Sequence, residues 1–351
     1  MSESEKVVIA LSGGVDSSVA AALLKRQGYS VVGMMLRLWS EPGKEADNRC
    51  CTPDSITLAR RVANRLEIPF YVLDAQEQFY NLVVQQFISG YAQYITPNPC
   101  LLCNQRIRWN YLLKQALDIG ARYLATGHYV RIHREENGSL RLLRGNDLSK
   151  DQSYVLYTLN QFQLEHTLFP IGHLSKIEVR ELARKHNLPT SDRPESQDLC
   201  FLGSSDYREF LIRYLPSVNN PGPILSTNGE QMGSHCGLAF YTIGQRKGLN
   251  ISSPFPLYVL EKKTDSNTLI VGRAEELGRQ DLIAQGINWL SGQPPELPLR
   301  AQVKIRYKSG FFKATISKPH NCGYDIIFKD IIRDPTPGQY AVFYDGDMVV
   351  G

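Results

Sequence analysis

The sequence predicts an α/β protein: an N-terminal parallel sheet with helices on both faces, a small mixed central domain, and a C-terminal β-barrel-like module. Three observations predict it. Short apolar runs alternate with helical patterns until residues 192–205. A breaker-rich stretch, 216–223, follows the last helical pattern. Beyond the proline-rich stretch 293–298, the chain consists of strand-sized segments and turns.

The elements read in order as follows. Residues 7–11 (VVIAL) are an apolar run suited to a buried strand. Residues 16–27 put Val19, Leu23 and Leu24 on one side of a helix, which Gly28 stops. A second buried run covers 30–36, a helical pattern 52–66, and a third strand 70–73. Helical patterns follow at 77–94 and 104–118, then a strand at 123–126. Strand and helix in turn mean crossover units and a parallel sheet. Ligands of such sheets collect at the carboxyl ends of the strands, where Ser12, Gly13, Gly14, Met35, Gly127 and His128 fall. Residues 206–215 form one more helix. Asn228-Gly229 is a hairpin signal, and strands at 259–261 and 269–271 flank Asp265-Ser266-Asn267. Strand-sized segments at 301–307, 311–316, 324–328 and 340–344 close the chain. The expected domains are 1–205, 206–275 and 276–351.

Composition excludes more than it assigns. The 39 Lys and Arg against 35 Asp and Glu leave +4, too weak a bias to establish a polyanionic partner. No stretch approaches the length of a membrane span, so no membrane partner is expected. Met1-Ser2-Glu3-Ser4-Glu5-Lys6 is acidic, unlike a signal or transit peptide. The 7 cysteines are an odd number without a signal peptide, which argues for a cytoplasmic protein and against a disulfide scaffold.

The first strand runs straight into Ser12-Gly13-Gly14-Val15-Asp16-Ser17-Ser18. A strand, a Ser-Gly-Gly turn and a helix start gather backbone N–H groups around one point, with the positive end of the helix dipole behind them. The glycines allow close approach of an anion, and Ser12, Ser17 and Ser18 add hydroxyl donors. Asp16 is a poor neighbour for a phosphate by itself, but can hold Mg²⁺ or cap the helix. A bare Gly-Gly is more often just a tight turn; the run of hydroxyls after an apolar strand favours the anion site. Neither G-x-x-x-x-G-K-[ST] nor G-x-G-x-x-G occurs, which disfavours γ-phosphate transfer and dinucleotide binding.

The cysteines are the guide to the substrate. Cys100-Leu101-Leu102-Cys103 follows Thr96-Pro97-Asn98-Pro99 and precedes Asn104, read here as an N-cap. Cys103 would then sit beside a helix N-terminus, where the dipole, with Arg106 and Arg108, favours the thiolate. A lone C-x-x-C can be a set of zinc or iron–sulfur ligands, a redox pair, or a nucleophile beside an unrelated neighbour. Cys200 stands far off in Ser196-Gln197-Asp198-Leu199-Cys200-Phe201. Three thiols meeting at one site would suit a sulfur relay or a three-cysteine cluster with one open iron. Cys50, Cys51, Cys236 and Cys322 read as buried structural residues.

Ser12-Gly13-Gly14-Val15-Asp16-Ser17 resembles the S-G-G-x-D-S signature of the ATP pyrophosphatase (PP-loop) superfamily. Its members have adenine nucleotide α-hydrolase-like folds and split ATP between the α and β phosphates, usually by adenylating a substrate oxygen. A closer resemblance covers the chain from that turn to its end. It rests on Thr96-Pro97-Asn98-Pro99 with Cys103-Asn104, Ala125-Thr126-Gly127-His128-Tyr129, Lys150-Asp151-Gln152-Ser153-Tyr154 and Glu195-Ser196-Gln197-Asp198-Leu199-Cys200-Phe201. Tyr241-Thr242-Ile243-Gly244-Gln245-Arg246-Lys247-Gly248, Lys304-Ile305-Arg306-Tyr307 and Pro337-Gly338-Gln339 extend it. These motifs, in this order, resemble the bacterial tRNA-specific 2-thiouridylases.

That resemblance implies ATP-dependent 2-thiolation of the wobble uridine, U34, in tRNAs for lysine, glutamate and glutamine, with AMP and diphosphate as co-products. It implies ATP with Mg²⁺ at Ala10, Leu11, Ser12, Gly13, Gly14, Val15, Asp16, Ser17, Met35 and Gly127. Cys200 matches the cysteine that receives a persulfide from a cysteine desulfurase or sulfur-relay protein. Cys103 matches the catalytic cysteine that forms a transient disulfide with it. Thr96, Pro97 and Asn98 match contacts to the target base, and His128, Lys150, Asp151, Gln152, Arg306, Tyr307 and Gln339 match tRNA contacts. The residues agree in part, since U34 must leave the anticodon stack to react, and Arg, Lys and Tyr suit phosphates and bases. Taken singly, His128 reads as a satisfied strand-end histidine and Lys150 or Arg306 as a solvated charge.

The chain departs from the family at Cys100, where many members carry an Asp proposed as an acid/base group. A thiol there can move protons, or complete a [4Fe-4S] site with Cys103 and Cys200. Two other readings remain: an amidotransferase-type synthetase or lysidine-forming ligase of the same superfamily, and a non-enzymatic RNA-binding module. No glutaminase module is visible, and a binding protein needs neither the intact turn nor the thiols.

Overall fold

The computed structural model describes residues 4–44, 52–194, 199–203, 206–320 and 323–351. Strand β1 (Lys6–Ala10) pairs in parallel with β2 (Ser30–Arg37), which pairs in parallel with β3 (Phe70–Asp74). On its other side β1 pairs with β4 (Tyr123–Ala125), and Thr167–Leu168 completes a five-stranded parallel sheet in the order β3-β2-β1-β4 and then that edge strand. Successive side chains of a strand point to opposite faces. Val7 and Ile9 therefore enter one core, with Val19 and Leu24 of helix α1 (Val15–Arg26) and Val62 of α2 (Pro53–Arg65). Val8 enters the other, with Trp109, Leu112 and Leu124. Burial on both faces explains the unbroken apolar run of the first strand.

The predicted helix at 77–94 is Gln76–Phe79, a π-helical turn Tyr80–Val84, and Gln85–Ala92. The one predicted to start at Asn104 starts five residues earlier. It runs as Pro99–Leu102, a π-helical stretch Cys103–Leu112, and Leu113–Asp118. Proline, which lacks an N–H, fits the first helical position, so Pro99 opens this helix.

The central region contains helix Tyr207–Tyr214, capped by Asp206, and a four-stranded sheet. Gly222–Ser226 and Gln231–His235 form the expected hairpin, with Gly229 at φ +84 in its turn. Phe201 and Phe210 pack with Phe79 and Phe87, joining this region to the first one.

The last sheet differs most from the sequence reading. It is antiparallel and has eight strands, including Arg279–Ala284, which lies outside the expected strand-sized segments. Two more come from the first half: the hairpin Val130–Arg134 with Leu140–Arg144 joins it through Met348 opposite Leu143. The segment directly after Gly127-His128 is thus fastened to the C-terminal module.

Cys236 corrects one expectation: it is exposed. It follows His235, which is buried at the end of its strand, and alternation turns the next side chain outward. Cys50, Cys51 and Cys322 lie outside the described residues, as do Glu195-Ser196-Gln197-Asp198. Among the described residues no helix is long and apolar enough to cross a membrane.

Candidate active site

The turn after β1 forms the floor of a cleft at the carboxyl ends of β1, β2 and β4. Ala10, Leu11, Ser12, Asp16, Ser17, Met35, Gly127 and His128 line it, together with Cys103, Arg108 and Gln152. Gly14 caps α1 without a side-chain bond, so no side chain covers the first N–H groups of the helix. The hydroxyls brace the turn from within. Ser17 Oγ accepts from the Ser12 N–H at 3.2 Å, and Ser18 Oγ donates to the Gly14 carbonyl at 2.7 Å. Gly13 has φ +71, and a Cβ there would lie 2.6 Å from the Ser55 carbonyl oxygen. Gly127 is equally constrained, because its Cβ would lie 2.6 Å from the Ser17 nitrogen. Val15 is buried beneath the turn.

Two cations that the sequence reading missed hold this turn. Lys176 Nζ donates to both carboxylate oxygens of Asp16, at 2.7 and 2.9 Å, and Tyr129 donates its hydroxyl to Oδ1 at 2.8 Å. Arg193 donates to the Gly13 carbonyl and to Ser55 Oγ, each at 2.7 Å. Asp16 therefore neither caps α1 nor stands in a preformed metal cage.

Across the cleft, His128 Nδ1 lies 2.8 Å from Thr126 Oγ1 and Nε2 3.2 Å from Arg108 Nη1. A guanidinium only donates, so Nε2 accepts and Nδ1 carries the proton toward Thr126. Burial, reinforced by the Arg108 charge, holds the imidazole well below its ordinary pKa. It is neutral.

Asn104, expected as an N-cap, is buried instead and donates to the Val155 carbonyl at 3.1 Å. The cap is Asn98, so the helix start carries Cys100, and Cys103 lies a turn further in. Cys103 and Cys200 are both partly buried thiols packed against the apolar cluster of Phe79, Phe87 and Phe210. Cys100 is exposed. Among the described residues no group of three or more His, Cys, Asp or Glu is placed to hold a metal ion.

The remaining candidates gather where the three regions meet. Thr96 donates its N–H to the Pro337 carbonyl at 3.1 Å, and its own carbonyl accepts from Gln339 Nε2 at 2.6 Å. Its hydroxyl lies 3.2 Å from that of Thr242. Pro97 and Asn98 continue this clamped loop to the cap of the cysteine helix. Arg306 donates to Asp334 Oδ2 at 2.6 Å and to the Ile243 carbonyl at 3.0 Å. Asp151 is buried and accepts from Gly145, Ser153 N–H and Ser153 Oγ. Gln152 Oε1 accepts from the Tyr129 N–H at 3.0 Å. Lys150 is half-buried beside them. Tyr307 is 38% exposed, enough of an open ring for a base to stack on, and Lys304 Nζ lies 5.6 Å from its centroid.

Comparison with known families covers nearly the whole chain. A tRNA methyl transferase HUP domain model matches residues 5–204, a tRNA methyl transferase PRC-barrel domain 208–273, and an aminomethyltransferase beta-barrel domain 279–351. The tRNA-specific 2-thiouridylase MnmA of Magnetococcus marinus is 44% identical over 353 residues, covering 100% of this chain and 99% of the relative. The chain belongs to the tRNA-specific 2-thiouridylase family. The 2-thiouridylase MnmA of Natranaerobius thermophilus is 44% identical, over 100% of this chain and 97% of its own length. That of Clostridioides difficile is 43% identical, over 99% and 97%.

Proposed function

We propose that the protein is a tRNA-uridine 2-sulfurtransferase acting on U34 of the tRNAs for lysine, glutamate and glutamine. The observation that carries this reading is Cys103 on the wall of the cleft whose floor is the phosphate turn. ATP binds at Ala10–Ser17, Met35 and Gly127, and the flipped uridine enters past Thr96, Pro97 and Asn98. The three proposed domains, 1–205, 206–275 and 276–351, meet at that loop and grip the anticodon arm through Lys150, Arg306, Tyr307 and Gln339.

The chemistry has two stages. The C2 oxygen attacks the α-phosphorus, the bond to the bridging oxygen breaks, and diphosphate leaves; N3 loses its proton to solvent. A carbonyl oxygen is thereby made a leaving group. A cysteine desulfurase or relay protein has meanwhile loaded Cys200 as a persulfide. Its terminal sulfur adds to C2 and AMP departs. The Cys103 thiolate then attacks Cys200 Sγ, the S–S bond breaks, and sulfur stays on C2 while N3 regains a proton. The resulting Cys103–Cys200 disulfide takes two electrons from a thiol reductant before the next turnover.

The test is tRNA-dependent release of AMP from α-labelled ATP, comparing U34 with C34 tRNA, with the product nucleosides resolved by mass and iron assayed in anaerobically prepared protein. AMP and 2-thiouridine with U34 alone, in iron-free protein, are expected. ATP and tRNA binding without AMP would leave a PP-loop fold with another substrate. Thiolation that tracks iron content would overturn the persulfide route.

A further inference from the structure

The phosphate turn lacks the lysine that most nucleotide loops carry, and both cations that touch it are engaged: Lys176 with the Asp16 carboxylate, and Arg193 with the Gly13 carbonyl and Ser55 Oγ. Among the described residues lining the cleft, Arg108 is the one cationic side chain. Its place there depends on an unusual backbone. Cys103 and Arg108 are five positions apart at the start of a ten-residue π-helical stretch, Cys103–Leu112. An α-helix turns about 100° per residue, so residues five apart would diverge by about 140°. A π-helix bonds i to i+5, and residues five apart return to one face. Both side chains line the cleft. The guanidinium is also aimed: Nη1 lies 3.2 Å from Nε2 of His128, whose Nδ1 is 2.8 Å from Thr126 Oγ1, on the segment that leads β4 to Gly127.

We propose that Arg108 is a further catalytic residue, the cation that stabilises the charge growing on the α-phosphoryl group as the uridine oxygen attacks, and that His128 is its positioning residue. The step is the adenylation described above, and the proposal rests on that reading. The bond from uridine O2 to phosphorus forms as the bond from phosphorus to the diphosphate oxygen breaks. Negative charge spreads over the non-bridging α-oxygens between those two events. Oriented donors in such a site act mainly on the transition state, and losing one typically slows reaction about 100- to 1,000-fold. Arginine suits the task because its planar fork offers N–H groups to His128 and to a phosphoryl oxygen at once. A neutral imidazole can accept from Arg108, whereas a protonated one would repel it.

The experiment measures diphosphate release with U34 tRNA in Arg108→Gln, Arg108→Lys, His128→Phe and His128→Gln. The wild type is first shown to release diphosphate and to form 2-thiouridine; failure at that point concerns the function and not this residue. Arg108→Gln is expected to lower kcat for diphosphate release about 100-fold or more, with KM for ATP within about threefold. Arg108→Lys should recover only part. His128→Phe should lower kcat with KM unchanged, and His128→Gln, whose amide oxygen can accept from Arg108, should restore most of it. Normal diphosphate release in Arg108→Gln with thiolation lost would overturn the proposal and place the charge at the Cys103 sulfur. Equal losses in His128→Phe and His128→Gln would overturn the positioning role. Thermal melts of all four variants identify any that fail to fold, and Arg108→Lys, which keeps both charge and bulk, then serves as the deciding variant: unchanged kcat in it would show that the planar fork is not used.

Discussion

Lys176 stands 160 residues from Asp16 in sequence, yet its ammonium bridges both oxygens of that carboxylate, at 2.7 and 2.9 Å. The pair explains how an acidic residue can sit in the first turn of a helix that, on the proposed function, receives polyphosphate. Without Lys176, Asp16 would repel the ligand that the turn and the helix dipole attract.

Lys176→Met is therefore expected to weaken ATP binding at least tenfold and to lower stability by about 1–3 kcal/mol, the scale for leaving a charged partner unmatched. Titration calorimetry with a non-hydrolysable ATP analogue and urea unfolding check both parts. Asp16→Asn combined with Lys176→Met should recover stability relative to Lys176→Met alone. An additive pair of losses would show that the two side chains act separately.

Gly127 predicts a contrast within the glycines of the site. A Cβ at Gly127 would lie 2.6 Å from the Ser17 nitrogen and 2.7 Å from the Asp16 carbonyl carbon, both backbone atoms at the start of α1. At Gly14 the nearest atom is the Ser12 hydroxyl, at 3.2 Å, and φ is an ordinary −87. Gly127→Ala should cost roughly tenfold or more in ATP affinity, as a displaced backbone donor would, whereas Gly14→Ala should stay within about threefold. The reverse order would mean that the turn, not the β4 approach, sets the fit. Equilibrium binding of a fluorescent ATP analogue to both variants decides it.

What was legible in the sequence follows from what is local. The strand, the turn and α1 are contiguous, so pattern alone located them. The C-terminal sheet was recognised as a module, but its hairpin at 130–144 was not. Val130-Arg131-Ile132-His133-Arg134 alternates like a surface strand, and nothing nearby shows that it pairs with chain some 200 residues later through Met348 and Leu143. Asn104 misled because side-chain caps are commoner helix starts than proline at the first position. Lys176 left a trace that could have been followed. It begins its helix, where a cation opposes the dipole, so something nearby had to be holding it. Arg108 left none, because its alignment with Cys103 depends on a π-helical register that side-chain spacing does not encode.

His128 gives a prediction about acid. Burial, with Arg108 adding to it, keeps its native pKa well below the ordinary 6.5, at which it would titrate in the unfolded chain. Below pH 6.5 the unfolded state binds a proton that the native state refuses, so acidification favours unfolding until the native pKa is reached. His186 and His235 are depressed by burial too and pull in the same direction. Wild type should therefore lose stability from pH 6.5 to 5.5, and His128→Gln should lose about 1 kcal/mol less over that interval. Urea unfolding at the two values measures the difference. Equal losses would mean that His128 is protonated in the native state, and its acceptor role toward Arg108 would fall with it.

The two thiols should separate the two stages of the reaction. Cys103 lines the cleft above the Ser12-Gly13-Gly14 turn, while Cys200 sits beside Phe201, whose ring is buried against Phe79 and Phe87. Neither sulfur is required for oxygen to attack phosphorus. Cys200→Ser should release AMP and diphosphate with U34 tRNA and form no 2-thiouridine, because no persulfide can be carried. Cys103→Ser should accept persulfide on Cys200, visible as one added sulfur by intact mass, and then stall, because a hydroxyl cannot close the disulfide that expels the sulfur. If Cys200→Ser lost AMP formation while still binding ATP and tRNA, the residue would be part of the adenylation site, and sulfur would have to reach C2 by another route.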